Sequence, residues 1–114
     1  MDFLKLMDYV LKNGGATIEV LKKDSYNLIE KDNGYFVASD KEIKFDIKKD
    51  FDKIVKYFMQ KNDNVIIGLW LDNGILYIDE EVYYIHDLET VLMIGKKYNQ
   101  KAIYSCGENK SIYL

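Results

Sequence analysis

Hydrophobic positions along this chain recur at helical spacing in three segments. Apolar side chains three or four residues apart form a single stripe in each segment, which is typical of a helix packed on one face. The predicted helices begin at Phe3, Phe51 and Asp87 and extend to about Leu11, Gln60 and Tyr98. Asp2 and Asp50 precede the first two helices and are suited to cap them, and Gly14 is suited to end the first.

Shorter apolar runs, several of them alternating with polar residues, predict the strands. They are Thr17–Leu21, Tyr26–Ile29, Tyr35–Ser39, Ile43–Ile47, Val65–Leu71, Ile75–Ile78, Ala102–Ser105 and Ser111–Leu114, with Val82–Ile85 continuing the sixth after a break. Val65–Leu71 is apolar on both faces and is therefore expected in the centre of the sheet. Asn73-Gly74 predicts a tight hairpin, because both turn residues must adopt positive φ.

The order of these elements is roughly α-β-β-β-α-β-β-α-β-β, with short turns between neighbouring strands. Such an order predicts an α+β fold in which three helices pack on a mainly antiparallel sheet. A length of 114 residues predicts a single domain over 1–114. The hydrophobic fraction of 48% and charged fraction of 31% are typical of a globular protein.

Several classes of protein are disfavoured by composition. No apolar run approaches the ~20 residues of a membrane-spanning helix, and the acidic N-terminus does not resemble a signal peptide, so we expect a cytoplasmic protein that does not bind membranes. Cys106 and His86 are the only residues of their types, which predicts no disulfide, no structural zinc and no cofactor. All 16 basic residues are lysine, and the absence of arginine disfavours direct nucleic-acid binding. An AT-rich genome would equally explain the lysine bias.

One stretch of the chain carries charge of a single sign. Between Lys61 and Lys96 there are seven acidic residues and no lysine. They are Asp63, Asp72, Asp79, Glu80, Glu81, Asp87 and Glu89. Electrostatic complementarity selects partners and speeds encounter, so this window favours a partner with a basic surface.

Two adjacent tyrosines lie within the acidic window. Tyr83 and Tyr84 are neighbours in a predicted strand, so their side chains are expected to point to opposite faces and at least one to be exposed. Tyrosine is enriched at protein interfaces. The predicted partner-binding residues are therefore Asp72, Asp79, Glu80, Glu81, Tyr83, Tyr84, Asp87 and Glu89.

Other interpretations of these residues remain open. The acidic residues also fit a solvated face, because acidic side chains stabilise the first turn of a helix. Clustered carboxylates also suit a hard cation, although no calcium-loop motif is present. A hydrolase using carboxylates with His86, or Cys106 with His86 as nucleophile and base, lacks a recognisable third partner in the sequence. A homo-oligomer could form through the exposed edge of the final strand, Ser111–Leu114.

The second half of the chain resembles a group of small hypothetical proteins encoded by phages, prophages and conjugative elements of low-GC Gram-positive bacteria. The resemblance lies in residues 68–79, the helix start at Asp87-Leu88-Glu89, residues 99–104 and residues 111–114, together with the opening helix and Asn13–Thr17. It implies a mobile genetic element as the setting and supplies no catalytic residues. Small acidic proteins of such elements are often inhibitors of host defence, including anti-CRISPR proteins.

These observations together predict a non-enzymatic, protein-binding protein of a mobile element. Its partner would be a basic host protein, such as a nuclease of a defence system, in the bacterial cytoplasm, and a homodimer is compatible with this activity. The alternatives are a small carboxylate-dependent hydrolase and an accessory homo-oligomeric module without catalysis.

Overall fold

The computed structural model describes residues 2–22, 25–61 and 65–114. These ranges form an α+β fold with the predicted order of helices and strands. The helices are α1 (Phe3–Asn13), α2 (Phe51–Met59) and α3 (Leu88–Lys97). The strands are β1 (Gly15–Lys22), β2 (Ser25–Leu28), β3 (Tyr35–Ala38), β4 (Glu42–Asp46), β5 (Val65–Asp72), β6 (Ile75–Asp79), β7 (Val82–Ile85), β8 (Ala102–Ser105) and β9 (Lys110–Tyr113). Within the described ranges no helix has the length and apolar character needed to cross a membrane.

Local signals fix the ends of most elements. Asp2 caps α1 by accepting a hydrogen bond from the Lys5 N–H at 2.9 Å, and Gly14 ends that helix with φ of 82°. Asn73 and Gly74 adopt φ of 51° and 78° in the predicted hairpin turn. Asp50 occupies the N-cap position of α2, as predicted, but the expected capping hydrogen bond is absent. Its carboxylate accepts the N–H of Asp46.

The strands divide between two antiparallel sheets. The five-stranded sheet has the order β2-β1-β5-β6-β4, and the four-stranded sheet has the order β7-β3-β8-β9. The predicted central position of β5 is therefore confirmed. The strand Lys110–Tyr113 lies at an edge of the four-stranded sheet, with 73% of Tyr113 exposed.

Each sheet buries one face against helices. α1 and α2 pack on the five-stranded sheet around a large core that includes Leu6, Val10, Ile18, Ile54, Phe58, Ile67, Leu76 and Ile78. α3 packs on the four-stranded sheet around Val37, Val91 and Ile103. The two cores are separate hydrophobic clusters, each stabilised by removing apolar surface from water.

One bent pair of strands connects the two sheets. β3 pairs with β7 in the four-stranded sheet, and the continuing strands β4 and β6 pair in the five-stranded sheet. At the crossing, residues 39–41 lie opposite only Glu80 and Glu81, so one extra residue forms a β-bulge. Two backbone hydrogen bonds frame it, from the Ser39 N–H to the Glu81 carbonyl and from the Glu80 N–H to the Lys41 carbonyl. Because a bulge bends a strand pair, this one redirects both chains from one sheet into the other.

Candidate functional site

The predicted partner-binding residues are spread from the β5–β6 hairpin to the start of α3 and do not form a single patch. Asp72 lies at the tip of the β5–β6 hairpin, Asp79 ends β6, Glu80 and Glu81 lie at the bulge, and Glu89 is in the first turn of α3. The strand rise alone places Asp79 about 13 Å beyond Ile75 at the hairpin end. Asp63 lies outside the described residues.

Glu80 points toward α2 and joins an internal cluster. Its carboxylate accepts hydrogen bonds from the Tyr57 hydroxyl at 3.1 Å and from Lys61 Nζ at 2.8 Å. Lys61 holds the pKa of Glu80 below its ordinary value, while burial is the main cause that raises the pKa of Tyr57 to about 12. The interactions of Glu80 are therefore made within the chain, on the helix-covered side of the five-stranded sheet.

Glu81 and Tyr83 bind each other. The Tyr83 hydroxyl donates to Glu81 Oε1 at 2.7 Å, which is the main cause that raises the pKa of Tyr83 to about 12. Lys41 Nζ lies 3.5 Å from the other oxygen of the same carboxylate. Tyr84 points to the opposite face, as predicted, and its hydroxyl donates to the carbonyl of Asn33 at 2.6 Å.

The start of α3 uses Asp87 as a cap. Its carboxylate accepts hydrogen bonds from the N–H of Thr90 at 2.9 Å and from the Thr90 hydroxyl at 2.6 Å, and the hydroxyl is the main cause that lowers the pKa of Asp87. Helix capping therefore accounts for Asp87. Glu89 and His86 are exposed beside it, with the His86 ring 4.8 Å from the Tyr84 ring.

The face of the five-stranded sheet that points away from α1 and α2, called here the outer face, carries a pair of aromatic side chains, one exposed and one half-buried. Trp70 on β5 is 51% exposed and lies opposite Tyr77 on β6, with ring centroids 5.9 Å apart. Lys44 on β4 lies opposite Tyr77 and places Nζ 5.5 Å from its ring centroid. Tyr77 therefore already has a cation near its ring, whereas half of the Trp70 surface is open to solvent.

A pair of carboxylates lies in the next row of the outer face. Asp79 on β6 is opposite both Gly68 on β5 and Glu42 on β4. A Cβ atom on Gly68 would lie 3.5 Å from Asp79 Oδ2 and 3.3 Å from Val82 Cγ2, so the absence of a side chain there makes room for the carboxylate. Burial, and then the charge of Glu42, raises the pKa of Asp79 to about 6.

The carboxylates of the outer face greatly outnumber its cations. Among the described side chains of β1, β4, β5 and β6 that alternate onto this face, five are acidic and one is basic: Glu19, Glu42, Asp46, Asp72 and Asp79 against Lys44. Asp46 accepts hydrogen bonds from two backbone N–H groups of the following turn. The carboxylates of Asp79 and Glu42 make no hydrogen bond or ion pair with another described residue. The outer face therefore combines exposed aromatic surface with uncompensated negative charge.

Sequence reasoning missed Trp70, Tyr77 and Glu42 as site residues. An apolar run such as β5 does not reveal whether both of its faces are covered, and the prediction assumed that they are. The polar alternation in β4 indicated a wet face, but it could not show that Glu42 lies opposite Asp79. A useful signal was Gly68-x-Trp70, because a glycine and an aromatic residue two positions apart share one face of a strand.

The geometry gives limited support to the chemical alternatives. No group of three His, Cys, Asp or Glu side chains in the described ranges is arranged to hold a metal ion. Burial raises the pKa of the Cys106 thiol, which disfavours the reactive thiolate. A cleft of about 390 Å³ lies where β5 and β7 diverge, and it is lined by Val65, Ile66, Glu80, Glu81 and Val82. The lining of this cleft does not include the Asp79–Glu42 pair.

Comparisons with known proteins returned no similarity that bears on this site. No protein-family model matches the chain, and no curated protein or solved structure matches it significantly. The resemblance to mobile-element proteins therefore remains a prediction, and the outer face is the feature of the molecule that indicates a function.

Proposed function

We propose that this protein acts by binding another protein through the outer face of its five-stranded sheet. The observation that carries the proposal is the half-exposed Trp70 beside Tyr77 on a face where carboxylates outnumber lysines. Tryptophan and tyrosine are the side chains that most often dominate binding energy at interfaces, and a surrounding negative potential favours a basic partner.

The resemblance to proteins of mobile elements suggests which partner this is. A basic host defence protein, for example a nuclease with a positively charged nucleic-acid groove, would be occupied and inhibited by an acidic face. Of the partner-binding residues predicted from the sequence, Asp72 and Asp79 lie on the outer face, and in this proposal they contribute to binding. Contributions to binding from Glu80, Glu81, Tyr83, Tyr84, Asp87 and Glu89 remain predictions.

Co-purification tests the proposal directly. A tagged copy would be expressed in a Gram-positive host and recovered at low and moderate salt, with mass spectrometry of the bound proteins. We expect a basic protein in stoichiometric amount, with recovery falling as salt rises because the attraction is screened. The double variant Glu42→Lys/Asp72→Lys should lose it. The matched control Glu30→Lys/Glu108→Lys makes the same change in charge at exposed positions off the outer face and should retain it.

Two results would contradict the proposal. A partner that is lost from the Glu30→Lys/Glu108→Lys variant and kept by the Glu42→Lys/Asp72→Lys variant would place binding away from the outer face. The absence of any stoichiometric partner, with a monomer or homo-oligomer as the only species, would remove the protein-binding function. Sedimentation at two concentrations distinguishes those last two states.

A carboxylate-dependent hydrolase is the second candidate, and one observation favours it. Asp79 and Glu42 are opposed carboxylates, and burial raises the pKa of Asp79 to about 6, which suits a general acid that works near that pH. Hydrolysis of a glycoside or ester substrate that is abolished by Asp79→Asn and by Glu42→Gln would establish this function. Turnover that persists in both variants would contradict it.

A further inference from the structure

The outer face presents two features that each interact favourably with a cation. Trp70 offers half-exposed aromatic surface, and the lysine beside the pair, Lys44, lies near the ring of Tyr77. Asp79 and Glu42 offer adjacent carboxylates with no cation bound among the described residues. Positive charge binds both an aromatic face and a carboxylate, so one cationic group could use both features if they lie close enough.

The register brings them within reach of one side chain. Trp70 lies opposite Tyr77, and Asp79 is two residues further along β6 on the same face, so Trp70 and Asp79 are diagonal neighbours. Diagonal neighbours on adjacent antiparallel strands are about 7–8 Å apart, and Glu42 is the direct cross-strand neighbour of Asp79. Gly68 and Gly15 leave the backbone beside Trp70 without side chains on this face.

We propose that the partner is anchored by an arginine side chain whose guanidinium group stacks on Trp70 and pairs with the carboxylates of Asp79 and Glu42. This proposal rests on the proposed function and identifies the group on the partner that the outer face recognises. Arginine fits better than lysine because its planar group stacks on an indole and donates in a fork to carboxylates, whereas an ammonium is a compact, strongly hydrated charge.

The surroundings of Asp79 predict how this recognition depends on pH. The titratable groups near its carboxyl are Glu42 and Lys44 from β4 and Tyr77 on its own strand, while β5 presents Gly68 and β7 presents Val82. Burial and Glu42 raise the pKa of Asp79, so this carboxyl is more protonated at pH 5 than at pH 7.5. Binding of a cation to the site should therefore be weaker at pH 5.

Short charged peptides test the anchor without knowledge of the natural partner. The probes are capped tetra-arginine, tetra-lysine and tetra-citrulline, the last of which keeps the shape of arginine without its charge. Trp70 is the only tryptophan in the chain, so its fluorescence reports binding at this face. We expect a saturable change with tetra-arginine, a Kd at least about threefold higher with tetra-lysine, and no change with citrulline.

Variants then assign the contacts. Asp79→Asn and Glu42→Gln should each raise the Kd for tetra-arginine by about tenfold, with Glu30→Gln as the unaffected control. Trp70→Leu should raise the Kd for tetra-arginine by about five- to tenfold. Because this variant lacks the fluorescent residue, its binding would be measured from the NMR shifts of the Gly68 and Gly15 amides. In the unsubstituted protein the Kd at pH 5 should exceed that at pH 7.5, and this difference should vanish in Asp79→Asn.

The outcomes separate this inference from the proposed function. Equal affinity for arginine and lysine, or unchanged affinity in Asp79→Asn, would overturn the arginine anchor. If a host protein co-purifies through the outer face while the peptides fail to bind, the proposed function stands and the anchor is wrong. If the peptides bind as expected while no protein co-purifies, the anchor stands and the proposed function is wrong.

Discussion

Replacing Asp79 with asparagine should make the protein more stable at neutral pH. The carboxyl of Asp79 lies half-buried over Gly68 and opposite Glu42, an environment that disfavours its charged form. Asparagine has nearly the same shape and carries no charge, so the variant avoids the cost of holding a charge there. A residue placed for binding would thus lower the stability of the free protein.

The pKa of Asp79 sets the size and the sign of this effect. The difference between the ordinary value of 3.8 and about 6 corresponds to at most ~3 kcal/mol. Because the side chain remains in partial contact with water, we expect a gain of about 1–2 kcal/mol. The folded protein binds more protons than the unfolded chain between about pH 4 and pH 6, so its stability falls as pH rises through that range. The advantage of the variant should therefore be absent below about pH 4 and complete above about pH 6.5.

Urea unfolding followed by circular dichroism at pH 4, 5.5 and 8 would measure this difference. The control is Glu30→Gln, an exposed position in a loop, which should change stability by less than ~0.5 kcal/mol at each pH. Glu42→Gln should reproduce part of the gain at pH 8, because Glu42 is the second cause of the raised pKa. A difference between Asp79→Asn and the unsubstituted protein that is the same at pH 4 and pH 8 would refute the reasoning.

Three further substitutions test the packing and turns that hold the outer face in place. Glu80→Gln should cost about 0.5–1 kcal/mol at pH 7 by weakening the 2.8 Å ion pair with Lys61. Because that pair lowers the pKa of Glu80, the cost should shrink as pH falls below the ordinary pKa of a glutamate. A double-mutant cycle with Lys61→Met that gave no coupling energy would contradict this. Gly15→Ala should cost about 1–3 kcal/mol in urea unfolding because its Cβ would lie 2.6 Å from the carbonyl oxygen of Leu69, and a neutral result would mean that the β1–β5 ladder shifts freely. Gly74→Ala should cost about 1–2 kcal/mol in the same assay because φ is 78° there although the space is open, and an equal or higher stability would argue against the strained turn.

Much of the fold could be predicted because its signals are local. The predicted cap Asp2 acts within three residues of its own position, and the Asn73-Gly74 turn is set by the backbone preferences of two adjacent residues. Asp50 shows how such a signal fails. Its carboxylate accepts the N–H of Asp46 in the preceding turn and no N–H of the helix.

The division into two sheets depends on pairings that join distant residues. β1 pairs with β5 and β3 pairs with β8, and the alternation of apolar residues in a single strand does not select its partner. The alternation of side chains along a strand likewise separates the acidic residues 79–81, because neighbouring residues point to opposite faces. Asp79 therefore lies on the outer face while Glu80 reaches Lys61 on the other side, although the sequence presents them as one charged cluster.

The bulge at Glu80 and Glu81 also determines how the protein can be divided. Because the chain passes between the sheets at this point on both paired strands, neither sheet is encoded by one continuous stretch. The strands of the five-stranded sheet lie within 15–22, 25–28, 42–46 and 65–79, and those of the four-stranded sheet within 35–38, 82–85 and 102–113. During synthesis on a ribosome, the five-stranded sheet cannot be completed until β6 has emerged from the exit tunnel. A gene cut anywhere between codons 46 and 65 would yield two fragments that each lack strands of both sheets, so the fragments could regain the fold only by recombining with each other.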